Sequence, residues 1–128
     1  MAQKLDHLTI LSRSVEESER FYGALLPLLG FRQTKRGIWT DDDGFFFQFL
    51  PAKPETRAYE RYGPGLNHLG FGAPDRAYVN NVRDRMIAAG FDIQPVQELG
   101  GAYALFMPDP DGLRIELTHY PEGVAVVD

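Results

Sequence analysis

Two of the three histidines of this chain occupy matching positions in a repeated motif. His7 lies in the run Asp-His-Leu-Thr-Ile, and His68 lies in the similar run Asn-His-Leu-Gly-Phe, 61 residues later. A second match joins Gln48, in Phe-Phe-Gln-Phe, to Glu116, in Arg-Ile-Glu-Leu. Each half of the chain therefore carries one imidazole and one amide or carboxyl group in corresponding places.

The flanking residues indicate that these four side chains share one face of β-sheets. Apolar residues alternate with them, as Leu8 does beside His7 and Ile115 does beside Glu116. Because successive residues of a strand point to opposite faces, the apolar set should pack under helices and the polar set should line a cavity. If the two halves join about a pseudo-two-fold axis, the four polar side chains converge on one cavity.

Two neutral imidazoles and one carboxylate on rigid strands are a ligand set for a divalent ion such as Fe(II), Mn, Ni or Zn, with positions open for water or substrate. An amide oxygen is a weaker ligand, so Gln48 should either coordinate the ion or hydrogen-bond a water bound to it. The alternative is that His7 and His68 hydrogen-bond within a core while Glu116 reaches solvent. The matched positions favour the metal site.

Each half also contains the elements that could position these residues. Ser14 begins a capping box ahead of an apolar helical stripe, which Pro27 should end early. Asp75 is the corresponding N-cap of a second stripe, and Gly90 should end that helix. Short runs rich in β-branched and aromatic residues follow each helix. Each half is therefore predicted to contain a strand, a helix and about three further strands.

Domain organisation follows from this repeat. We expect one domain over 1–128, with a first module at about 4–50, a linker at about 51–65 and a second module at about 66–120. The Asp-rich run at 41–43 is interpreted as a hairpin turn and not as a calcium loop, because no bidentate Glu follows at the required spacing. The basic residues Arg32, Lys35 and Arg36 are expected in a solvated loop.

Composition narrows the range of functions. The chain has 128 residues, 44% of them hydrophobic, which suits one compact domain. Its 18 acidic and 13 basic residues give a net charge of −5, so neither nucleic acid nor a membrane surface is expected as a partner. Because there is no Cys and no apolar run of signal-peptide or membrane-spanning length, we expect a cytoplasmic protein without thiolate chemistry.

These motifs resemble those of the vicinal oxygen chelate superfamily, which includes glyoxalase I, extradiol dioxygenases, fosfomycin-resistance transferases and metal-free bleomycin-binding proteins. The resemblance rests on the runs at 6–8, 21–22, 29–31, 66–71 and 109–117. It implies an α+β fold in which two βαβββ modules pair into an open, curved mixed sheet around a metal and substrate cavity. It also implies a homodimer.

The resemblance further implies roles for individual residues. His7, His68 and Glu116 match the metal-ligand positions of the superfamily, and Glu116 also matches its proton-transferring base. Gln48 departs from glyoxalase I, which has a carboxylate at that position. This loss of charge makes an isomerase activity harder to infer.

Four further residues are candidates for a substrate pocket: Trp39, Phe46, Tyr103 and Arg114. The aromatic rings could hold a planar or apolar substrate, and packing in the core is the alternative. Arg114 shares the parity of Glu116 and could bind a carboxylate or phosphonate, or it could lie exposed at a strand end. His119 has the opposite parity and is expected outside the site.

The leading hypothesis is a small divalent-metal-dependent enzyme of glyoxalase or dioxygenase type that acts on a small substrate with adjacent oxygen atoms. Lyase, isomerase and extradiol-type dioxygenase chemistry all fit this hypothesis. The alternative is a metal-free protein that binds and sequesters an antibiotic-like small molecule, as bleomycin-resistance proteins do. A third possibility is a regulatory or structural protein, which would need an exposed apolar patch.

Overall fold

The computed structural model describes residues 1–126, so the last two residues of the expected domain lie outside the described residues. The chain divides into two compact units, Met1–Ala58 and Tyr59–Asp128. The boundary falls within the segment 51–65 that was interpreted as a linker. Over the described residues, no helix is both long and apolar enough to cross a bilayer.

Both units have the same order of elements. The first contains β1 (His7–Ser12), α1 (Val15–Leu25), a 3₁₀ turn (Leu26–Leu29), β2 (Arg32–Lys35), β3 (Ile38–Thr40) and β4 (Phe46–Pro51). The second contains β5 (His68–Gly72), α2 (Arg76–Ala88), β6 (Gln97–Leu99), β7 (Ala102–Pro108) and β8 (Arg114–His119). Each unit is a βαβββ module, which confirms the α+β class and the repeat.

The strands of each unit form one open, mixed sheet of four. The strand orders are β1-β4-β3-β2 and β5-β8-β7-β6. In each sheet the first strand pairs parallel with the last one, and the other neighbours are antiparallel. The first and last strands of each module therefore lie side by side at the same place in both sheets.

The helix boundaries follow the predicted capping residues. Ser14 Oγ accepts a hydrogen bond from the backbone N–H of Glu17 at 3.2 Å, and Asp75 Oδ1 accepts one from that of Tyr78 at 2.7 Å. Pro27 lies in the 3₁₀ turn that follows α1, because a proline in a helix interior would remove a backbone donor. Gly90 has φ +96°, a left-handed conformation that ends α2.

One face of each sheet forms a hydrophobic core. In the second unit this face packs against α2, and its buried side chains come from the strands (Leu105, Met107, Ile115, Leu117) and from the helix (Val79, Val82, Met86). Each such side chain stabilises the fold by about 1.5–3 kcal/mol through burial. The predicted alternation, apolar side chains on one face and His68 and Glu116 on the other, is confirmed.

The expectation for the basic run was correct for one of its three residues. Arg36 lies in the exposed turn between β2 and β3, whereas Arg32 and Lys35 belong to β2 and do not lie in a loop. β2 is one of the two edge strands of its sheet, and all four of its residues are exposed. An exposed edge strand that carries charges has no apolar alternation, so the sequence pattern did not indicate it.

The two Asp-rich turns have the same internal hydrogen bonds. Asp41 Oδ1 accepts the backbone N–H groups of Asp43 and Phe45, both at 2.9 Å. Asp109 Oδ1 accepts those of Asp111 and Leu113, also both at 2.9 Å. These bonds occupy the inward carboxylate oxygen, which confirms the hairpin-turn interpretation.

We predict that Asp109→Ala lowers the free energy of unfolding by about 2 kcal/mol, because two N–H groups of a turn with a buried Asp lose their acceptor. Asp109→Asn keeps an acceptor oxygen and should cost less than half as much. Asp41→Ala, in the more exposed turn, should cost about 1 kcal/mol because water can replace the lost bonds. Urea denaturation followed by circular dichroism measures these differences. Equal losses for Asp109→Ala and Asp109→Asn would contradict the assignment.

Candidate metal centre

The second unit brings His68 and Glu116 together on the sheet face opposite α2. In the parallel pairing of β5 with β8, Gly70 lies opposite Glu116 and His68 lies opposite Arg114. His68 and Glu116 are therefore diagonal neighbours, and His68 Nε2 lies 3.5 Å from Glu116 Oε1. The side chains are 38% and 17% exposed, so solvent or a small ligand can reach the pair.

The far atom of each side chain is held by a hydrogen bond. Asn67 Nδ2 donates to the backbone carbonyl of Arg61 at 3.1 Å, which leaves Asn67 Oδ1 to face His68 Nδ1 at 2.7 Å. Because an amide oxygen can only accept, Nδ1 carries the proton in neutral His68. Thr118 Oγ1 donates to Glu116 Oε2 at 2.6 Å. The atoms that remain available, Nε2 and Oε1, are the two that face each other.

Two electron-pair donors at this separation can share one cation or one proton. If ligand bonds to a tetrahedral divalent ion are 2.0–2.2 Å long, adjacent ligand atoms lie about 3.4 Å apart. The 3.5 Å separation of His68 Nε2 and Glu116 Oε1 fits two ligands of one such ion. A hydrogen bond from the other ring nitrogen is also the usual way in which proteins orient a ligating histidine.

The first unit has the same register at the matched positions. In the parallel pairing of β1 with β4, His7 lies opposite Phe46 and Thr9 lies opposite Gln48. His7 and Gln48 are therefore diagonal neighbours on one face, as His68 and Glu116 are in the second unit. This register supports the alignment of the two halves that the motifs suggested.

The contacts of the first pair resemble those of the second. His7 Nδ1 lies 2.7 Å from Asp6 Oδ2, so the residue before the histidine again holds Nδ1. Thr9 Oγ1 donates to Gln48 Oε1 at 3.3 Å. The His7 ring also stacks on Phe46, with 4.8 Å between centroids and 6° between planes. Phe46 thus lies on the expected face.

Gly70 leaves open space beside the second pair. It occupies the position that corresponds to Thr9 of the first unit, opposite Glu116. A Cβ at Gly70 would have no atom within 4 Å. This space is available to a ligand of the His68 and Glu116 pair.

The second unit provides two candidate metal ligands at one site, fewer than a metal ion usually takes from a protein. Among residues 1–126, no three His, Asp or Glu side chains form a group that could hold a metal ion. His68 and Glu116 provide two donor atoms at a suitable separation, and any further ligand must come from another source. The convergence of His7, Gln48, His68 and Glu116 on one ion stays a prediction.

A cavity of about 200 Å³ opens next to the second pair. Its lining includes His68 and Glu116 together with Arg61, Arg114 and Phe106. The Arg114 guanidinium lies 3.9 Å from the centroid of the Phe106 ring. Arg114 therefore lies where the sequence analysis expected it, on the face of Glu116.

The charges around this cavity affect one another. Desolvation lowers the pKa of Arg114 from its ordinary value, and the positive charge of Arg61 lowers it further. The negative charges of Glu116 and of ionised Tyr62 act in the opposite direction and raise it. Two arginines and one carboxylate are thus close enough to interact within one small cavity.

Arg61 is the functional candidate that the sequence analysis missed. It lies in the segment interpreted as a linker, but this part of the chain folds onto the second unit. The Tyr59 hydroxyl donates to the carbonyl oxygens of Leu66 (2.7 Å) and Asn67 (3.0 Å), and Asn67 holds the Arg61 carbonyl. In the sequence, only Tyr59 and Asn67 on either side of this loop could have indicated that the loop packs against the second unit, and polar side chains of this kind are common in loops of every type.

The structure does not bring Trp39 and Tyr103 to the predicted pocket face. Trp39 pairs with Phe47 and is buried on the helix face, where it lines a separate cavity of about 210 Å³ in the first unit. Tyr103 pairs with His119, and its hydroxyl donates to Asn80 Oδ1 of α2 at 2.6 Å. Both side chains have the opposite parity from the metal-ligand candidates of their own unit.

Comparison with known proteins identifies the family of this chain. The family described as Glyoxalase/Bleomycin resistance protein/Dioxygenase superfamily matches residues 4–117. This match covers His7, Gln48, His68 and Glu116. The chain belongs to this superfamily.

Two sequence relatives and one solved structure illustrate the range of proteins that are similar to this superfamily member. Uncharacterized protein YqjT of Bacillus subtilis (strain 168) is 32% identical over 126 residues, covering 88% of this chain and 96% of the relative. Glyoxylase I 4 of Arabidopsis thaliana is 30% identical over 122 residues, covering 88% of this chain and 68% of the relative. A solved glyoxylase/bleomycin resistance protein/dioxygenase domain from Frankia sp. EAN1pec has a TM-score of 0.77, with 22% identity and 96% coverage of both chains. At that identity, the Frankia domain supports the fold alone.

The contacts of Asn67 predict the tautomer of His68 in this superfamily member. At a pH where the imidazole is neutral, the proton should reside on Nδ1, because Asn67 Oδ1 accepts it. In Asn67→Ala this preference should be lost, whereas His119, whose Nδ1 lies 3.2 Å from the Ala73 carbonyl oxygen, should not change. Long-range ¹H–¹⁵N NMR of the imidazole rings measures the protonated nitrogen. A proton on Nε2 of His68 in the unaltered protein would contradict the assignment.

Proposed function

We propose that this chain is a divalent-metal-dependent enzyme of glyoxalase or dioxygenase type that acts on a small substrate with adjacent oxygen atoms. The observation that carries the proposal is the 3.5 Å separation of His68 Nε2 and Glu116 Oε1. The other polar atom of each side chain is hydrogen-bonded, His68 Nδ1 to Asn67 and Glu116 Oε2 to Thr118. The name of the Arabidopsis thaliana relative, Glyoxylase I 4, supports the glyoxalase class.

His68 and Glu116 are the proposed ligands of the second unit, and His7 and Gln48 are the proposed ligands of the first. Asn67 and Thr118 keep Nε2 and Oε1 directed at the cavity. A bound Fe(II), Mn, Ni or Zn ion would supply Lewis-acid polarisation of two neighbouring substrate oxygens. With Fe(II) the proposed chemistry is dioxygenation, and with the other ions it is lyase or isomerase chemistry.

Glu116 is also the proposed proton acceptor. Glu116 lines the cavity. Because Oε1 is also the proposed ligand atom, Glu116 would have to leave the ion before it could take a proton from a substrate carbon next to a carbonyl group and return it to a neighbouring atom. Thr118 donates to Oε2 and so keeps the carboxylate in one orientation during this transfer.

The homodimer and the cytoplasmic location are part of the same proposal. Leu11 and Leu50 support an interface, because they are cross-strand neighbours and both are exposed. A contact between apolar residues of two copies would remove them from water.

We predict that protein purified without chelators, or incubated with Fe(II), Mn, Ni and Zn, binds about one divalent ion per chain, as a single site of this ligand type would. His68→Ala and Glu116→Ala should lose most of the ion, and His7→Ala should lose it too if both halves provide ligands. His119→Gln is the matched control and should retain the ion, because His119 has the opposite parity from Glu116. Elemental analysis measures the content. No ion in the unaltered protein would contradict the proposal and favour the metal-free binding protein.

Catalysis gives a second prediction. Metal-loaded protein should convert at least one member of a panel of catechols, α-ketoaldehyde thiol adducts and epoxy-phosphonates. Glu116→Gln should lower kcat by roughly 10²-fold or more, because a positioned general base contributes about that much. His119→Gln should retain full activity. Equal kcat for Glu116→Gln and the unaltered protein on a converted substrate would show that Glu116 is not the base.

A further inference from the structure

Arg61 and Arg114 both line the cavity, and neither guanidinium has a carboxylate partner within the described residues. The Arg61 guanidinium lies 5.0 Å from the centroid of the Tyr62 ring. Over residues 1–126, no Asp or Glu oxygen lies within 4.0 Å of either guanidinium. Arg61 Nε is also withdrawn from solvent and has no hydrogen-bond acceptor in the described part of the chain. A buried N–H without an acceptor is unfavourable, so an acceptor from a ligand would remove that cost.

Arg76, in the same unit, lies over an aromatic ring and also has a carboxylate partner. Arg76 lies 4.8 Å from the centroid of the Tyr103 ring, and its Nη2 lies 2.9 Å from Glu98 Oε1. Arg114 also lies over a ring, at 3.9 Å from the centroid of Phe106, but it lacks the carboxylate. Stacking on the ring fixes the guanidinium plane and leaves its N–H groups at the plane's edge free to donate.

The charge of the cavity contrasts with that of the whole chain. Two arginines and one glutamate give the cavity a positive balance, whereas the chain carries a net charge of −5. If a divalent ion binds to His68 and Glu116, this balance becomes more positive. An anionic group entering the cavity would therefore be attracted both by local charge and by the low-dielectric walls.

We propose that the substrate of this cavity carries a terminal oxyanion group, either a carboxylate or a phosphate or phosphonate, which Arg61 and Arg114 bind. The proposal rests on the proposed function only in taking this cavity as the substrate site. The guanidinium fork suits such a group because two parallel N–H donors match two of its oxygens. The oxyanion is a second anchor, separate from the oxygens that would face His68 and Glu116.

The test uses inorganic phosphate and acetate as separate probes of the two oxyanion types, with the full chain. Each is titrated against protein freed of metal with a chelator that is then removed by dialysis, and against metal-loaded protein. Binding is followed through the ¹⁵N-labelled arginine Nε–H signals, and circular dichroism checks that each variant is folded. The variants are Arg61→Gln and Arg114→Gln, with Arg76→Gln as the control that removes the same charge from a stacked arginine.

At least one probe should bind the metal-free protein, and each cavity variant should weaken that binding about tenfold or more, as expected for loss of a charge-assisted hydrogen bond. Arg76→Gln should change it less than about twofold, because its charge lies outside this cavity. If a glutamine variant does not fold, Arg61→Lys or Arg114→Lys keeps the charge, removes the fork and should still weaken binding. Tighter binding of phosphate indicates a phosphate or phosphonate substrate, and tighter binding of acetate indicates a carboxylate.

Two outcomes would overturn the proposal: no saturable binding of either probe, or binding that the substitutions of Arg61 and Arg114 leave unchanged. Binding that appears only with metal and does not depend on the arginines places the anion on the ion, which overturns this inference and leaves the proposed function standing. Arginine-dependent binding by a protein that takes up no metal has the opposite meaning. In that case the oxyanion site stands and the metal-dependent function fails.

Discussion

The parallel pairing of β5 with β8 is the constraint on which the candidate site depends. A shift of this pairing by one residue would move every side chain of β8 to the other face. Ile115 and Leu117, now fully buried, would then face solvent, and Glu116 would lie under α2. Exposure of each apolar side chain costs about 1.5–3 kcal/mol, and an unpaired buried carboxylate costs several kcal/mol more. The core therefore fixes the register that places Glu116 beside His68.

The same constraint operates in both modules, but the residues at the matched positions have diverged. Where the first module has Phe46 and Gln48, the second has Arg114 and Glu116. Thr9 likewise corresponds to Gly70, so a side chain that donates to Gln48 is replaced by open space beside Glu116. At these positions, ionised side chains and room for a ligand occur together in the second module, and an aromatic ring and a neutral amide occur in the first.

Much of the fold and part of the site could be predicted because hydrophobic alternation reports burial directly. The face of Glu116 follows from the buried Ile115 and Leu117 on either side of it, and the face of His68 follows from the half-buried apolar residues Leu69 and Phe71 that alternate with it. Trp39 and Tyr103 could not be assigned in this way, since their face depends on which residue each one pairs with across an antiparallel turn. Aromatic residues are accepted both in a core and in a pocket, so residue type did not decide between the two.

The number of strands was predicted, but the residues of β2 and β6, like Arg61, could not be located, for a different reason. All residues of β2 are exposed, and β6 is a three-residue strand with one half-buried side chain. Neither strand therefore shows the alternation of apolar and polar residues that is typical of a strand packed against a helix. Arg61 is brought to the cavity by backbone contacts of a loop, through carbonyl oxygens that every residue possesses. A sequence pattern does not indicate which backbone carbonyl a side-chain hydroxyl or amide will contact.

Asn67 shows why the residue before each histidine can differ between the modules. At the matching position the first module has Asp6, whose carboxylate can accept the Nδ1 proton of His7. An aspartate at position 67 could do the same for His68, but it could not donate to the Arg61 carbonyl oxygen. The amide does both, with Oδ1 on the imidazole and Nδ2 on the loop. One side chain therefore couples the orientation of the candidate metal ligand to the loop that carries the candidate anion-binding arginine.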